Sequence, residues 1–484
     1  MSLIGILNAD GLSASDKNAL EELLHVYNST RVRNDKLERY YEGDVMVRDI
    51  GINILPSNAD IHADLSCDWA KKAVKELSNL VRFDGFVFED GEGDEGLSRA
   101  LAESGFHFGF SRNRIGMFKK GCMFATVNSV GGHARVRFHS ADSGAAVMDV
   151  GRERIGSGFV IADAKYTPWS PRTLEPTQVN LFLPGKRIVL KRDTQTGWHA
   201  EPVRTPDDRP MMEAFVYAPT DTKPLGSSRI SKQVIDLVDD VLRVRLALVL
   251  STAFYSVPLR AILGLSDAMY DKLAESRWGT YLNPLLLATS NKGQVPQLQQ
   301  LPSNSPDALI RLIEADAKLF SGATGVPLNS LGIVFDNPSS AEAIAESRKA
   351  LTEEAEDAIV LLQQSMKNVA LMCMAVESNT TTDKLSDVQK GVMAKFENPS
   401  MPSIAARTDA AMKIASVDEG FAGTDVFYEM TGFDQATIAR VKAQKRRNNA
   451  RMFLNQNQPR AVTDEQGSTN ADVTADATGA GPLS

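Results

Sequence analysis

The sequence predicts an α+β fold, and three observations carry that prediction. Apolar residues recur at steps of three and four near the N-terminus and again from about residue 227 onward, the spacing of helices with one buried face. Between Gly121 and Tyr217 the period changes to two, the spacing of strands. The stretch Ser305–Val376 reads as a short helix, an apolar loop and one very long helix. With 484 residues, 43% hydrophobic and 24% charged, the chain has an ordinary soluble composition and is long enough for roughly two to four domains around a sizeable core.

In chain order, the opening residues 1–7 lack a basic segment and soon meet Asp10, which is not the pattern of a signal peptide. Ser13–Tyr41 reads as a helix, with Ser15 placed to cap it and Leu20, Leu23, Leu24 and Tyr27 on one face; Gly43 stops it. A second helix is expected from Asp64 to Val81, with Trp69, Ala73, Val74 and Leu77 aligned. Gly91, Gly93 and Gly96 fit G-x-G-x-x-G, but the acids between them would repel a pyrophosphate and no strand–turn–helix unit is evident, so the stretch reads as an acidic surface loop.

Six strands are predicted: Cys122–Asn128, Ala134–His139, Ala145–Val150, Gly158–Tyr166, Thr177–Leu183 and Lys186–Arg192. Pro184-Gly185 supports a turn between the last two. His133 and His139 flank one strand without a third ligand nearby, which favours packing or surface roles over a metal. Pro202–Pro224 reads as a connector.

Gly226-Ser227-Ser228-Arg229-Ile230 opens another helix, with Val234, Leu237, Val238, Val241, Leu242, Leu246 and Val249 on its apolar face and Arg229, Lys232, Arg243 and Arg245 along it. A charged helix face is usually only solvated. Pro258 ends it, and Leu259–Pro302 looks like a small α/β insertion, with a helical piece at Leu265–Ala274 and an apolar run at Tyr281–Ala288.

The loop after the next helix holds Leu328, Leu331, Ile333, Val334 and Phe335, with one acid, Asp336, and no Lys or Arg. Such a loop either packs against something or lines a passage. Pro338, Ser339 and Glu342 form a capping-box signal for the long helix, whose stripe runs Ile344, Leu351, Ala355, Ala358, Leu362, Met366, Val369, Cys373 and Val376. Beyond a polar break at Asn379–Thr382 come a short extended piece at Lys395–Pro402 and helices at Ala405–Ser416, Gly423–Thr431 and Asp434–Leu454. The last carries Arg440, Lys442, Lys445, Arg446, Arg447 and Arg451, a basic patch suited to phosphate or simply a solvated helix end. The tail from Ala461 lacks the apolar residues to fold.

The formal net charge of −8 supplies no global field for nucleic acid or an anionic membrane. Cys67, Cys122 and Cys373 are too scattered for a disulfide framework or a zinc site and suit a reducing compartment. The most apolar run, Val241–Leu263, is broken by Arg243, Arg245 and Arg260, so no membrane span is read there. Phosphate-loop, zinc-protease and nucleophile-elbow patterns are absent, and the acids Glu353, Glu354, Glu356 and Asp357 read as helix surface; no catalytic residue, metal ligand or cofactor is expected.

Taken in order, several of these motifs resemble the portal proteins of long-tailed bacteriophages of Gram-positive and actinobacterial hosts. They are Tyr40-Tyr41-Glu42-Gly43, Trp69-Ala70-Lys71-Lys72-Ala73-Val74, Gly226-Ser227-Ser228-Arg229-Ile230, Pro258 to Gly264, Gly325-Val326-Pro327, Leu331-Gly332, and Asn337 to Ala343. The resemblance implies a ring, usually of twelve subunits, at one capsid vertex, assembled in the host cytoplasm and built into the virion. Double-stranded DNA passes through it without sequence preference. The implied partners are the large terminase subunit, a head–tail adaptor, the major capsid protein and scaffold, with no membrane and no motor in the chain itself. The implied layout is a wing (1–226), a first stem helix (227–254), a clip (255–303), a second stem helix (304–325), a tunnel loop (326–338), a long wing helix (339–378), a helical crown (383–455) and a disordered tail (456–484). On that layout Leu328, Asn329, Leu331, Ile333, Val334, Phe335 and Asp336 form the channel constriction, where a ring without cations would let a polyanion slide. Arg229, Lys232, Arg243, Arg245, Lys445, Arg446 and Arg447 are the candidates for contacts with DNA or between subunits.

Overall fold

The computed structural model describes residues 3, 5–45, 65–89, 91, 93–149, 151–167, 170–193, 197–256, 260–265, 285–289, 297–300, 306–333, 341–400, 404–418, 420–433 and 435–456. The fold is α+β, in two compact units, Met1–Met401 and Pro402–Ser484.

In the first unit, helix α1 (Ala14–Glu42) is capped by Ser13, whose hydroxyl accepts from the Asp16 N–H at 3.3 Å, rather than by Ser15; Gly43 closes it at φ +74°. Helix α2 (Trp69–Leu80) buries Ala70, Ala73, Val74 and Leu77, on the stripe the periodicity predicts. Strand β1 (Phe83–Val87) and helices α3 (Glu95–Ser104) and α4 (Phe106–Lys120) follow. None of these three is evident from the pattern. Helix α4 contains Gly109 and Gly116, poor helix formers that dilute its signal. Gly109 is there for fit: a Cβ would lie 2.9 Å from the Phe138 ring.

All six predicted strands are present, as β2 (Cys122–Val130), β3 (His133–Ser140), β4 (Gly144–Asp149), β5 (Arg154–Thr167), β6 (Ser170–Leu183) and β7 (Lys186–Asp193). Two more, β8 (Gly197–Arg204) and β9 (Met212–Val216), occupy part of the stretch read as a connector. Pro202 is tolerated because β8 ends its sheet, and the bonds on its outer side, from the Asp10 N–H to the Trp198 carbonyl and from the Ala200 N–H to the Asp10 carbonyl, stop short of Pro202. Strands β4 to β8 form an antiparallel meander in sequence order, and β2 lies between β3 and β9 in a second sheet. The first half of α1 packs Leu20, Leu23 and Tyr27 on the meander's inner face, against Phe159, Val179, Leu181 and Leu190. Its second half joins the larger core, with Leu37, Tyr40 and Tyr41 buried.

Helix α5 (Lys232–Ser256) leads to strands β10 (Arg260–Leu265), β11 (Leu285–Thr289) and β12 (Gln297–Gln300), a small sheet in the order β11-β10-β12. β10 runs parallel to β11 and antiparallel to β12. Most of the helical piece expected at Leu265–Ala274 lies outside the described residues. Helix α6 (Asp307–Thr324) then packs back along α5. Helix α7 (Ala341–Glu377), 37 residues and about 55 Å long, is the spine of the larger core. Every stripe residue from Leu351 to Val376 named above is buried. From Val369 onward it is buried nearly all round, with Ala370, Met372, Met374 and Ala375 also inside. Its residues Arg348–Glu377 are long and apolar enough to cross a membrane, but 61% of the most apolar window lies inside the fold. The capping signal at Pro338 and Ser339 lies outside the described residues. Helix α8 (Asp387–Lys390) and strand β13 (Met393–Phe396), which pairs with β1, close the unit.

The second unit holds α9 (Ile404–Val417), α10 (Asp425–Met430) and α11 (Gln435–Gln456), near the predicted positions. The expected tail beyond residue 456 lies outside the described residues.

Candidate functional site

The site is the place where α6 ends, the apolar loop begins and α7 passes. Helix α6 buries Ala317, Phe320 and Thr324, and the Phe320 ring sits 5.1 Å from Trp69 of α2. Gly325 ends the helix at φ +64°, its N–H donating to the Ser321 carbonyl at 2.8 Å. A Cβ there would lie 3.1 Å from the Leu351 nitrogen, so glycine lets the chain pass close against α7. Val326 and Pro327 are buried, and Leu328–Leu331 form a 3₁₀ turn closed by Gly332 at φ +85°.

The loop residues therefore divide. Leu331 is half-buried and packs on the core of its own subunit; Leu328 and Ile333 are half-buried, and Asn329 is exposed. The start of the loop is a folded turn docked on the body, not a free apolar segment. Val334, Phe335 and Asp336 lie outside the described residues.

Arg229 is what holds this junction. It was expected on the stem helix, but α5 begins three residues later, and its side chain is 4% exposed. Its Nε donates to the Ala73 carbonyl of α2 at 2.6 Å, and Nη2 to the Thr324 carbonyl of α6 at 2.6 Å. Nη1 is paired with Glu354 of α7 and reaches the Tyr217 hydroxyl at 3.4 Å; Tyr217 donates to the same carboxylate. Each contact has a reason. The Thr324 carbonyl is one of the acceptors a helix leaves without an internal N–H donor at its C-terminus, where a cation is also favoured by the helix dipole. The guanidinium's forked donors can serve several acceptors at once. Burial pulls the Arg229 pKa below its usual value and pushes the Tyr217 hydroxyl up. One side chain thus joins α2, α6, α7 and the residue after β9, and its guanidinium is engaged within the chain.

The other candidate cations are not brought together with it. Lys232 is exposed at the start of α5. Arg243 pairs with Asp240 at 2.5 Å, and Arg245 donates to the Ser66 carbonyl. In the second unit Lys445 donates to the Tyr428 hydroxyl and lies 5.1 Å from its ring centre, while Arg446 and Arg447 are exposed on α11. Sequence reading missed Tyr217, Thr324 and Glu354. The signal for Glu354 was its position one residue before Ala355 in the buried stripe, which sets it apart from the outward-facing Glu353 and Asp357.

His139 is buried with Nε2 3.0 Å from the Thr126 hydroxyl, and burial lowers its pKa to about 3. His133 instead meets Glu377 at 3.2 Å. Among the described residues no group of three His, Cys, Asp or Glu is placed to hold a metal ion. At the glycine-rich stretch the context differs from expectation, since β1 precedes it and α3 follows. Yet Asp94 accepts from the Leu97 N–H at 2.8 Å, placing a carboxylate where a phosphate would have to bind.

No protein-family model matches the chain. It is similar to the portal proteins of Mycobacterium phages L5 and D29, at 24% identity to each over 199 residues. The matched stretch is 40% of this chain and spans only 40% of the length of each relative. Among solved structures it resembles a chain in the neck of a native gene transfer agent (GTA) particle computed with C12 symmetry, at 15% identity and a TM-score of 0.38, covering 75% of this chain and 89% of that one. A chain of a native GTA virion matches at 14% identity and a TM-score of 0.40, covering 83% and 93%.

Proposed function

We propose that the chain is a portal subunit: copies of it, twelve by the family pattern, close into a ring at one capsid vertex, and double-stranded DNA is packaged and ejected through the ring. The observation that carries this reading is the pair of packed helices α5 and α6 bracketing a small three-stranded sheet, with α6 ending at Gly325 close against the long helix and running into a turn that packs on α2 and α6. In this reading they serve as a stem, a clip and the root of a tunnel loop, in the order the motifs imply. The similarity to the two mycobacteriophage portal proteins supports it.

In this reading the constriction is narrower than the sequence implies. Leu331 is committed to its own subunit's core and Val326 is fully buried. The bore is then lined by the segment from Ile333 through Val334, Phe335 and Asp336, which has no cation to grip phosphate. Arg229 is an internal tie and Arg243 is paired with Asp240, so Lys232 is the stem cation best placed for a neighbouring subunit or DNA. Arg446 and Arg447 play that part on the crown. The ring would recruit the terminase motor first and head–tail adaptors afterwards, inside a shell of major capsid protein and scaffold.

Negative-stain imaging with native mass measurement of the purified protein tests the reading. Rings with an axial opening are expected. Solitary compact particles at every concentration overturn it, and rings carrying residues 326–337 on their outer rim overturn the constriction.

A further inference from the structure

Two helices of the first unit present apolar side chains to solvent on faces that the fold leaves uncovered. On α6 the outward stripe is Leu312, Ala315 and Leu319, with Leu312 48% and Leu319 59% exposed. Arg311 and Lys318 are exposed along one edge of that stripe, seven residues and so about 10 Å apart, with exposed Glu314 between them. On α7 the outward face carries Val360 at 65% and Leu361 at 39% exposure. One to two turns before them lie Glu353, Glu356 and Asp357, all exposed. None of these two cations and three acids has an ion-pair partner among the described residues.

We propose that these two faces are the two halves of one contact: the outer face of α6 in one copy of the chain packs against the outer face of α7 in the next copy. This rests on the reading of the chain as a ring subunit, and it names the surfaces that close the ring. A closed ring requires two different, mutually complementary patches on each subunit. Here one is apolar with an edge of two cations flanking one acid, and the other is apolar with three acids beside it. The leucines take the centre of the contact, excluding water, and the charges take its rim, where they set register and reject wrong partners. DNA is a poor occupant of the α6 face. Arg311 and Lys318 would suit phosphates, but Leu312 and Leu319 between them would stay wet against a polyanion, whereas a second protein surface buries them.

The test is a charge swap read by native mass. Wild-type chain, Arg311→Glu with Lys318→Glu, Glu353→Lys with Asp357→Lys, and all four together are compared, with circular dichroism confirming that each is folded. Each reversed pair is expected to raise the concentration needed for half assembly at least tenfold, and the fourfold variant to recover most of that loss. Assembly unchanged in both pairs, or no recovery in the fourfold variant, overturns the contact while leaving the portal reading standing. A wild-type chain that never forms rings fails that reading independently of the variants. A second variant leaves the charges alone: Leu319→Cys with Val360→Cys, oxidised in the assembled state. A ladder of covalent multimers on a non-reducing gel is expected. A monomer band only, or a bridge closed within one chain, overturns the contact. The native thiols do not interfere, because Cys67, Cys122 and Cys373 are all buried.

Discussion

Replacing Arg229 with alanine removes, in one step, a donor to the Ala73 carbonyl, a donor to the Thr324 carbonyl and the partner of Glu354. The three losses are not equal. Ala73 lies in mid-helix, where its carbonyl also serves the α2 ladder. Thr324 is the last residue of α6, and its carbonyl has no successor in the helix to accept from. Glu354 is 31% exposed, so water can take over part of its solvation. Breaking a buried pair by deleting one partner costs about 3–5 kcal/mol, and the access of water to Glu354 puts this case at the lower end, about 3 kcal/mol. A urea titration followed by tryptophan fluorescence measures it, since Trp69 packs on Phe320 of α6 and reports the junction. Arg229→Lys keeps the charge but not the fork and is expected to lose about 2 kcal/mol. A second, local readout is hydrogen exchange of the amides from Val326 to Ile333, which should quicken in both variants before the rest of the core responds. If Arg229→Ala unfolds within about 0.5 kcal/mol of wild type, as an exposed position would, the junction is not held by this side chain.

Three further outcomes follow from the same geometry. Burial pushes the Glu213 carboxyl up to about 7, with Asn368 donating to it at 3.0 Å. The folded chain thus holds this proton more tightly than the unfolded one, so the cost of ionising it is absent below about pH 4.5 and complete above about pH 7. Glu213→Gln should therefore exceed wild type in stability by about 1–3 kcal/mol at pH 8.5 and converge with it near pH 4.5; equal curves at both would refute the assignment. Burial raises the thiols of Cys67 and Cys122 to about 11 and about 12, and Cys373 is raised as well. A thiol reagent at pH 7.5 should label none of the three until the protein unfolds, and rapid labelling of the native chain would contradict their placement. Gly325→Ala meets both a left-handed backbone and the Leu351 nitrogen, whereas Gly332→Ala meets the backbone alone, with nothing within 4 Å. The first should cost about 2 kcal/mol or more and the second about 1 kcal/mol, compared by thermal unfolding.

The strands and helices of this chain were legible where a period was kept long enough to stand out. Helix α7 is the clearest instance: its stripe from Leu351 to Val376 is read directly from spacing, and those residues are the ones buried. Helices α3 and α4 were not legible, because a single residue, Gly105, separates them and α4 carries two internal glycines. Strand β9 was hidden in a Pro- and Asp-rich stretch, where five residues pair with β2 across nearly a hundred positions of chain. Local composition is silent about such a partner. The same reason explains the site. Spacing placed Arg229 beside Lys232 on a solvated helix face, because a cation near a helix start looks exposed in one dimension. Only the arrival of α2, α6 and α7 around it, from positions 73, 324 and 354, turns it into an interior residue.

That difference bears on how the loop can work. A free apolar loop of the length the sequence implies would sample many positions, at an entropic cost for every residue ordered. Residues 326–333 are seated on the body, directly after the helix end that the Arg229 guanidinium ties to the middle of α7. Opening of residues 326–333 has two routes. It can lift the 3₁₀ turn, which exposes Val326 and Leu331, or it can shift α6 against α7, which breaks the Arg229 ties. The first costs apolar burial, which grows with how far the turn lifts, whereas the second breaks a buried charge pair as soon as its short contacts part. Small excursions should therefore stay in the turn, and only a displacement that strains the Arg229 ties should reach the stem. Hydrogen exchange separates these regimes in wild-type protein: amides of 328–333 should exchange well before those of 317–324, and simultaneous exchange of both would mean that turn and stem open as one unit.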